Sequence, residues 1–183
     1  MLGQILLFLV NTVVVLLVFV LLLRFHFQWL RVPFRNPVGE LVVVTTNWIV
    51  RPARRIVPGI AGLDLATVLL AWLVQGAGLW VEASIRGFEP GFAGLAAVAA
   101  FDLVRYSLYI LMGAVILQVV FSWLNPYTPV APVLDAFTRP FLRPLRRVVP
   151  PVGSFDLTPL VLVILVQVML IVLWNLRPAL AAL

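Results

Sequence analysis

Residues 51–58 read Arg51-Pro52-Ala53-Arg54-Arg55-Ile56-Val57-Pro58, and residues 143–150 read Arg143-Pro144-Leu145-Arg146-Arg147-Val148-Val149-Pro150. The offset from Arg51 to Arg143 is 92 residues. It also carries Thr46 onto Thr138, Asp64-Leu65 onto Asp156-Leu157, and Gln75 onto Gln167. Upstream, Trp29 matches Trp123 at an offset of 94, so the second copy is two residues shorter between its Trp and its arginines. Each box lies between two long apolar runs. A unit repeated over this length decides the architecture: a pair of membrane spans joined by an arginine-rich loop, present twice. The units divide at residues 1–90 and 91–183.

The chain has 183 residues, 63% of them hydrophobic and 11% charged. A soluble domain of this size cannot hide that much apolar surface. Four segments reach the roughly 20 apolar residues a spanning helix needs: 2–23, 63–81, 106–123 and 157–176. Trp29 and Trp123 end the odd spans, and Trp80 and Trp174 end the even ones, as expected of residues that favour the headgroup level. The first run lacks a basic leader region and a small-residue cleavage site, so it reads as a span and not as a cleaved signal. Residues 91–100, rich in Gly and Ala, either extend the third helix or lie in the interface.

All thirteen basic residues are arginine. Ten of them fall on one side of the proposed membrane, in the loops after spans one and three. The positive-inside bias places those loops in the cytoplasm and both termini outside. Two spans per unit insert both units the same way, as parallel repeats. The expected fold is an all-α membrane protein. Its four transmembrane helices form two parallel-repeat hairpins, with short interfacial helices in the cytoplasmic loops.

The second loop carries more than arginines. Ser122-Trp123-Leu124-Asn125-Pro126, Thr138-Arg139-Pro140, Arg143-Pro144-Leu145-Arg146-Arg147, and Gly153 through Asp156-Leu157-Thr158-Pro159 together closely resemble the YggT (YlmG) family of small integral membrane proteins. Two tandem copies are typical of its bacterial members, which implies residence in the bacterial inner (plasma) membrane. The first copy departs from the pattern: Gln28 stands in place of the Ser, Asn47-Trp48 in place of an acidic-Pro pair, and Ala66-Thr67 in place of Ser/Thr-Pro. The resemblance implies links to osmotic stress and cation homeostasis, to cell division and nucleoid organisation, and in plastids to assembly of a membrane cytochrome complex. It brings no enzymatic activity with it.

The arginines at i, i+3 and i+4 (Arg51, Arg54, Arg55; Arg143, Arg146, Arg147) would share one helical face. Pro144 would then open a helix, where its missing N–H costs nothing. Such a cluster suits lipid phosphates or an acidic partner, or serves only to orient the chain. The apolar stretches 39–50 and 130–142 are too short to cross and read as interfacial helices or re-entrant dips. Asp64 and Asp156 each precede a span and read as helix caps, as salt-bridge partners of the boxes, or as both.

Gln75 and Gln167 fall near mid-span and are expected to meet across the repeat interface, as interhelical glue or as a polar lining joined by Asn11 and Gln118. Asp102 and Arg105 read as a surface pair at the start of the third span. His26 reads as interfacial, and a lone histidine in a chain without cysteine builds no metal site and no bis-His haem site. No phosphate loop, nucleophile elbow or dinucleotide motif is present, so neither enzymatic activity nor a cofactor is expected. The expected partners are anionic phospholipid and a membrane protein or a second copy, with no direct nucleic-acid contact. The function these features favour is an organising or assembly factor for membrane complexes. The alternative is a small channel, or an accessory subunit for cation transport.

Overall fold

The computed structural model describes residues 1–59, 63–125, 127–150 and 156–181. Pro126 and residues 153–155 of the second loop motif lie outside them. Among the described residues there are six helices and no strand: α1 (Leu2–Trp29), α2 (Pro37–Ile56), α3 (Leu65–Ile85), α4 (Phe92–Leu124), α5 (Ala131–Leu145) and α6 (Thr158–Ala181). Helices α1, α3, α4 and α6 are long and apolar enough to cross a membrane. Gly91 caps α4 and residues 92–100 form its first turns, which makes the third span one continuous 33-residue helix.

Packing repeats with the sequence. Within the first unit α1 packs on α3, α2 on α1, and α2 on α3; α4, α5 and α6 make the same three contacts within the second. At Gly78 the α1–α3 approach is so close that a Cβ would meet Val14 Cγ1 at 2.6 Å, as expected where small residues let helix backbones meet without a hydrophobic drive from water. The units join through α1–α4 and α3–α4. Leu21 and Val115, 94 residues apart, are both sealed in the shared core.

Helices α2 and α5 lie beside the spans on the box side. Each buries one stripe at i, i+4 and i+8: Val42, Thr46 and Val50 on α2, and Leu134, Thr138 and Leu142 on α5. The opposite face of α2 exposes Leu41, Val44 and Trp48, an apolar surface suited to a headgroup boundary. Asn36 caps α2, its Oδ1 accepting from Gly39 N at 2.8 Å, and Pro37 occupies the first turn.

The prolines of the boxes sit differently from the sequence expectation. Pro52 and Pro144 fall inside the C-terminal ends of α2 and α5. The box therefore closes the amphipathic helix and does not open a new one. There the missing N–H breaks the ladder where the helix is ending, and the guanidinium groups face the negative pole of the helix.

Candidate functional site

The boxes are built from two short loops that return each chain segment to its own arginines. In the first unit Arg54 reaches Asp64, ten residues on, with Nη2 donating to Oδ2 at 2.5 Å and Nε at 3.2 Å. In the second, Arg146 Nε donates to Asp156 Oδ2 at 3.0 Å. Each aspartate also holds the start of the following span. Asp64 accepts from Thr67 N at 3.4 Å and from the Thr67 hydroxyl. Asp156 accepts from Thr158 N at 2.9 Å and Oγ1 at 2.5 Å. Each aspartate thus joins an ion pair to a backbone contact at the start of the following helix, in a clasp tying the end of α2 to the start of α3 and the end of α5 to the start of α6.

The two clasps differ in depth. Asp64 is 8% exposed, whereas the Asp156 side chain is 41% exposed. Gln28, the residue in the family's Ser position, joins the first clasp. With its amide oriented to fit the network, its nitrogen donates to Asp64 Oδ2 at 2.8 Å and its oxygen accepts from Arg54 Nη2 at 2.5 Å. Burial pushes the Asp64 carboxyl up, but the hydrogen bonds from Arg54 and Thr67 outweigh it and hold the carboxyl below its ordinary value. At Asp156 burial acts in the same upward sense, and the donors Thr158 and Arg146 again leave it lowered.

The clasp divides each box. Arg54 and Arg146 are committed to carboxylates. Arg51, Arg55, Arg143 and Arg147 are exposed and have no carboxylate partner among the described residues. Above each box a buried threonine anchors α2 to α1 and α5 to α4. Arg24 Nη1 donates to Thr46 Oγ1 at 2.6 Å and to Asn47 Oδ1 at 3.0 Å. At the equivalent place Thr138 Oγ1 donates to Gln118 Oε1 at 2.6 Å. Arg24, read from the sequence as a loop residue, is therefore a buried member of α1, and Gln118 is its counterpart 94 residues on.

The midplane glutamines do not meet. Gln75 is buried and its Nε2 donates to Asp102 Oδ2 at 2.9 Å, while Gln167 lies exposed on α6. Asp102 is 1% exposed, which overturns its reading as a surface residue. Its carboxylate is flanked by Arg105 at 3.3 Å, one turn along α4, and by Arg177 of α6 at 3.3 Å. The Arg105 guanidinium also lies 5.4 Å from the centre of the Tyr106 ring. This cluster joins the two units, since Gln75 belongs to the first and the rest to the second.

His26 is also buried, with Nδ1 2.6 Å from Leu22 O and its ring 6.0 Å from that of Phe137 on α5. It is a core contact between the repeats, in the last turn of α1. Among the described residues no group of His, Asp and Glu is arranged to hold a metal ion.

A comparison with known families matches residues 3–84 and 97–177, one stretch in each repeat, to the CCB3/YggT model. The chain is 32% identical over 163 residues to the uncharacterized protein YggT of Escherichia coli K12, covering 88% of this chain and 85% of that one. An uncharacterized protein of Pseudomonas aeruginosa is 31% identical over 157 residues, covering 84% and 80%. One of Vibrio alginolyticus is 30% identical over 163 residues, covering 87% and 88%. No solved structure matches the chain. Both copies of the clasp and of the buried threonine anchor thus fall within matched stretches, and the chain belongs to the CCB3/YggT family.

Proposed function

We propose that this protein is a non-catalytic organising or assembly factor of the bacterial inner membrane. Its boxes face the cytoplasm, where Arg51, Arg55, Arg143 and Arg147 engage anionic headgroups and present a surface to a membrane-protein partner. The observation that carries this reading is the duplicated clasp. It uses one arginine of each box to fix the loop and leaves two outward at the end of an amphipathic helix, whose outer face in the first unit exposes Leu41, Val44 and Trp48. Scattered arginines would orient the chain equally well without such positioning. At about 1 kcal/mol per arginine near an anionic leaflet, four contribute about 4 kcal/mol, roughly a thousandfold in partitioning.

The test is a fourfold Arg-to-Ala variant at 51, 55, 143 and 147, which leaves both clasps whole. Native mass spectrometry from mixed vesicles should show wild type retaining phosphatidylglycerol over phosphatidylcholine. The variant should lose that preference, along with any co-purifying membrane partner, at an unchanged thermal transition. An unchanged preference together with an unchanged partner set refutes the proposal.

The second reading, a cation path, draws on the buried Gln75. Its Oε1 has no hydrogen-bond partner among the described residues, and with Asn11 and Glu82 it lines a cavity about large enough for one water. Arg105 and Arg177 beside Asp102 work against it, because their positive charge opposes a cation. Potassium or sodium flux in liposomes, abolished by Gln75→Leu, would favour this second reading.

A further inference from the structure

The duplication leaves two matching helix faces uncovered. Between the units, α3 of the first packs along α4 of the second, and Gln75 meets Asp102 there. Trp72 Nε1 also donates to Ala96 O at 3.0 Å across this seam. An exact twofold would repeat the seam between α6 and α1. Among the described residues α6 makes no comparable contact with α1, so the pattern is open at both ends.

The uncovered faces carry equivalent residues. The shared threonine anchor sets the α1–α4 offset at 94, because Arg24 and Gln118 bind Thr46 and Thr138. Asp102 and Tyr106, buried at the seam, then correspond to Phe8 and Thr12, and Ile110 corresponds to Leu16. Phe8 is 68% exposed and Leu16 60%, against 1% for Asp102 and 8% for Ile110. On the other side Gln75 corresponds to Gln167, which is exposed. Exposed apolar side chains are what lipid covers, and they decide nothing alone. Gln167 and Thr12 decide more. A mid-span amide facing hydrocarbon calls for a partner, and among the described residues the hydroxyl of Thr12 reaches only its own helix, donating to Phe8 O at 2.7 Å.

We propose that a second copy of this chain covers α6, its α1 docking as α4 docks on α3, so that Gln167 meets the Phe8–Thr12 turn of the neighbour. The contact is heterologous: one copy offers α6 and the next offers α1. It therefore generates a ring, or an open row if the rotation fails to close. Helices α6 and α1 run antiparallel in this arrangement, as α3 and α4 do. Nothing in it depends on what the arginine boxes bind.

The chain contains no cysteine, so engineered thiols report alone. Two differently tagged copies, one Phe8→Cys and one Gln167→Cys, are co-expressed and oxidised in native membranes. Both positions are exposed, so neither change disturbs the core, and an unchanged thermal transition verifies it. The expected product is a mixed disulfide carrying both tags, formed at least tenfold more than with Leu6→Cys, which points to the other side of α1. Native mass spectrometry of the unsubstituted chain should show more than one copy. The proposal is overturned by absence of the mixed disulfide, by equal yield from Leu6→Cys, or by Gln167→Cys pairing only with itself. The last of these outcomes would mean a symmetric α6–α6 contact.

Discussion

Replacing Asp102 by Asn tests the joint between the two units. The substitution keeps the shape of the side chain, and an amide oxygen can still accept from Gln75, whose Nε2 lies 2.9 Å from the carboxylate. What disappears is the negative charge between Arg105 and Arg177. Arg105 is 14% exposed and cannot turn to water; Arg177 is 36% exposed and partly can. Removing one partner of a buried ion pair costs about 3–5 kcal/mol. The long 3.3 Å contacts and the exposure of Arg177 argue for the lower end, about 3 kcal/mol. At about 2–4 °C per kcal/mol for a chain of this size, the thermal midpoint in detergent should fall by roughly 6–12 °C. Adding Arg105→Gln to Asp102→Asn should return part of that loss, because the charge left without a partner is gone. A midpoint shift of about 2 °C or less for Asp102→Asn, or strict additivity in the double variant, would refute the assignment of Asp102 as the charged joint.

Four further outcomes follow from the geometry. Arg54→Ala should cost about 2 kcal/mol, because it strands a carboxylate that is almost fully covered, whereas Arg146→Ala at the half-exposed clasp should cost less than about 1 kcal/mol; equal losses would show that depth does not govern the clasps. Both aspartates have lowered folded pKa values, so their contribution is whole above the ordinary unfolded value near 3.9 and is lost as pH falls through the folded value. Stability should accordingly hold from pH 7 to about 5 and fall below about 4, and Asp64→Asn should flatten that acid limb in a pH series of thermal midpoints. Gly78→Ala should destabilise by about 1–3 kcal/mol, since the new methyl group collides with Val14. Gly113→Ala, within α4 and with no atom of the described residues that could clash within 4 Å of the added carbon, should stabilise by about 0.5–1 kcal/mol, and the pair of denaturation curves compares the two directly.

Much of the fold was legible in the chain because hydrocarbon allows few solutions. Apolar runs near 20 residues, tryptophans at their ends and a repeated box lead to two hairpins without any knowledge of packing. The short helices α2 and α5 were legible from the length of their apolar stretches, and the aspartates from their place before each span. The burial of Asp102 is hidden for a traceable reason. The apolar run of the third span starts at Tyr106 and leaves Asp102 outside it, whereas α4 starts at Phe92 and carries Asp102 ten residues in. Gln75 lies ten residues before the end of α3, so the two face each other across the hairpin. Equal distances from the connecting loop were the available signal. The burial of Arg24 and His26 does not show in the sequence because the apolar run stops at Leu23, although the helix continues to Trp29. Only tertiary structure supplies Thr46 and Phe137 as their partners. The fate of Gln167 was not legible, because pseudo-symmetry alone does not say which copy of a seam is formed.

The measurement that bears most directly on the whole account is sidedness at Arg55 and Arg147, one exposed arginine from each box. Each is replaced by Cys in the cysteine-free chain and probed with a membrane-impermeant maleimide. Both thiols should be protected in intact spheroplasts and labelled in inverted vesicles, in equal measure. Labelling of the two positions from opposite sides of the bilayer would contradict the parallel duplication and the cytoplasmic role built on it.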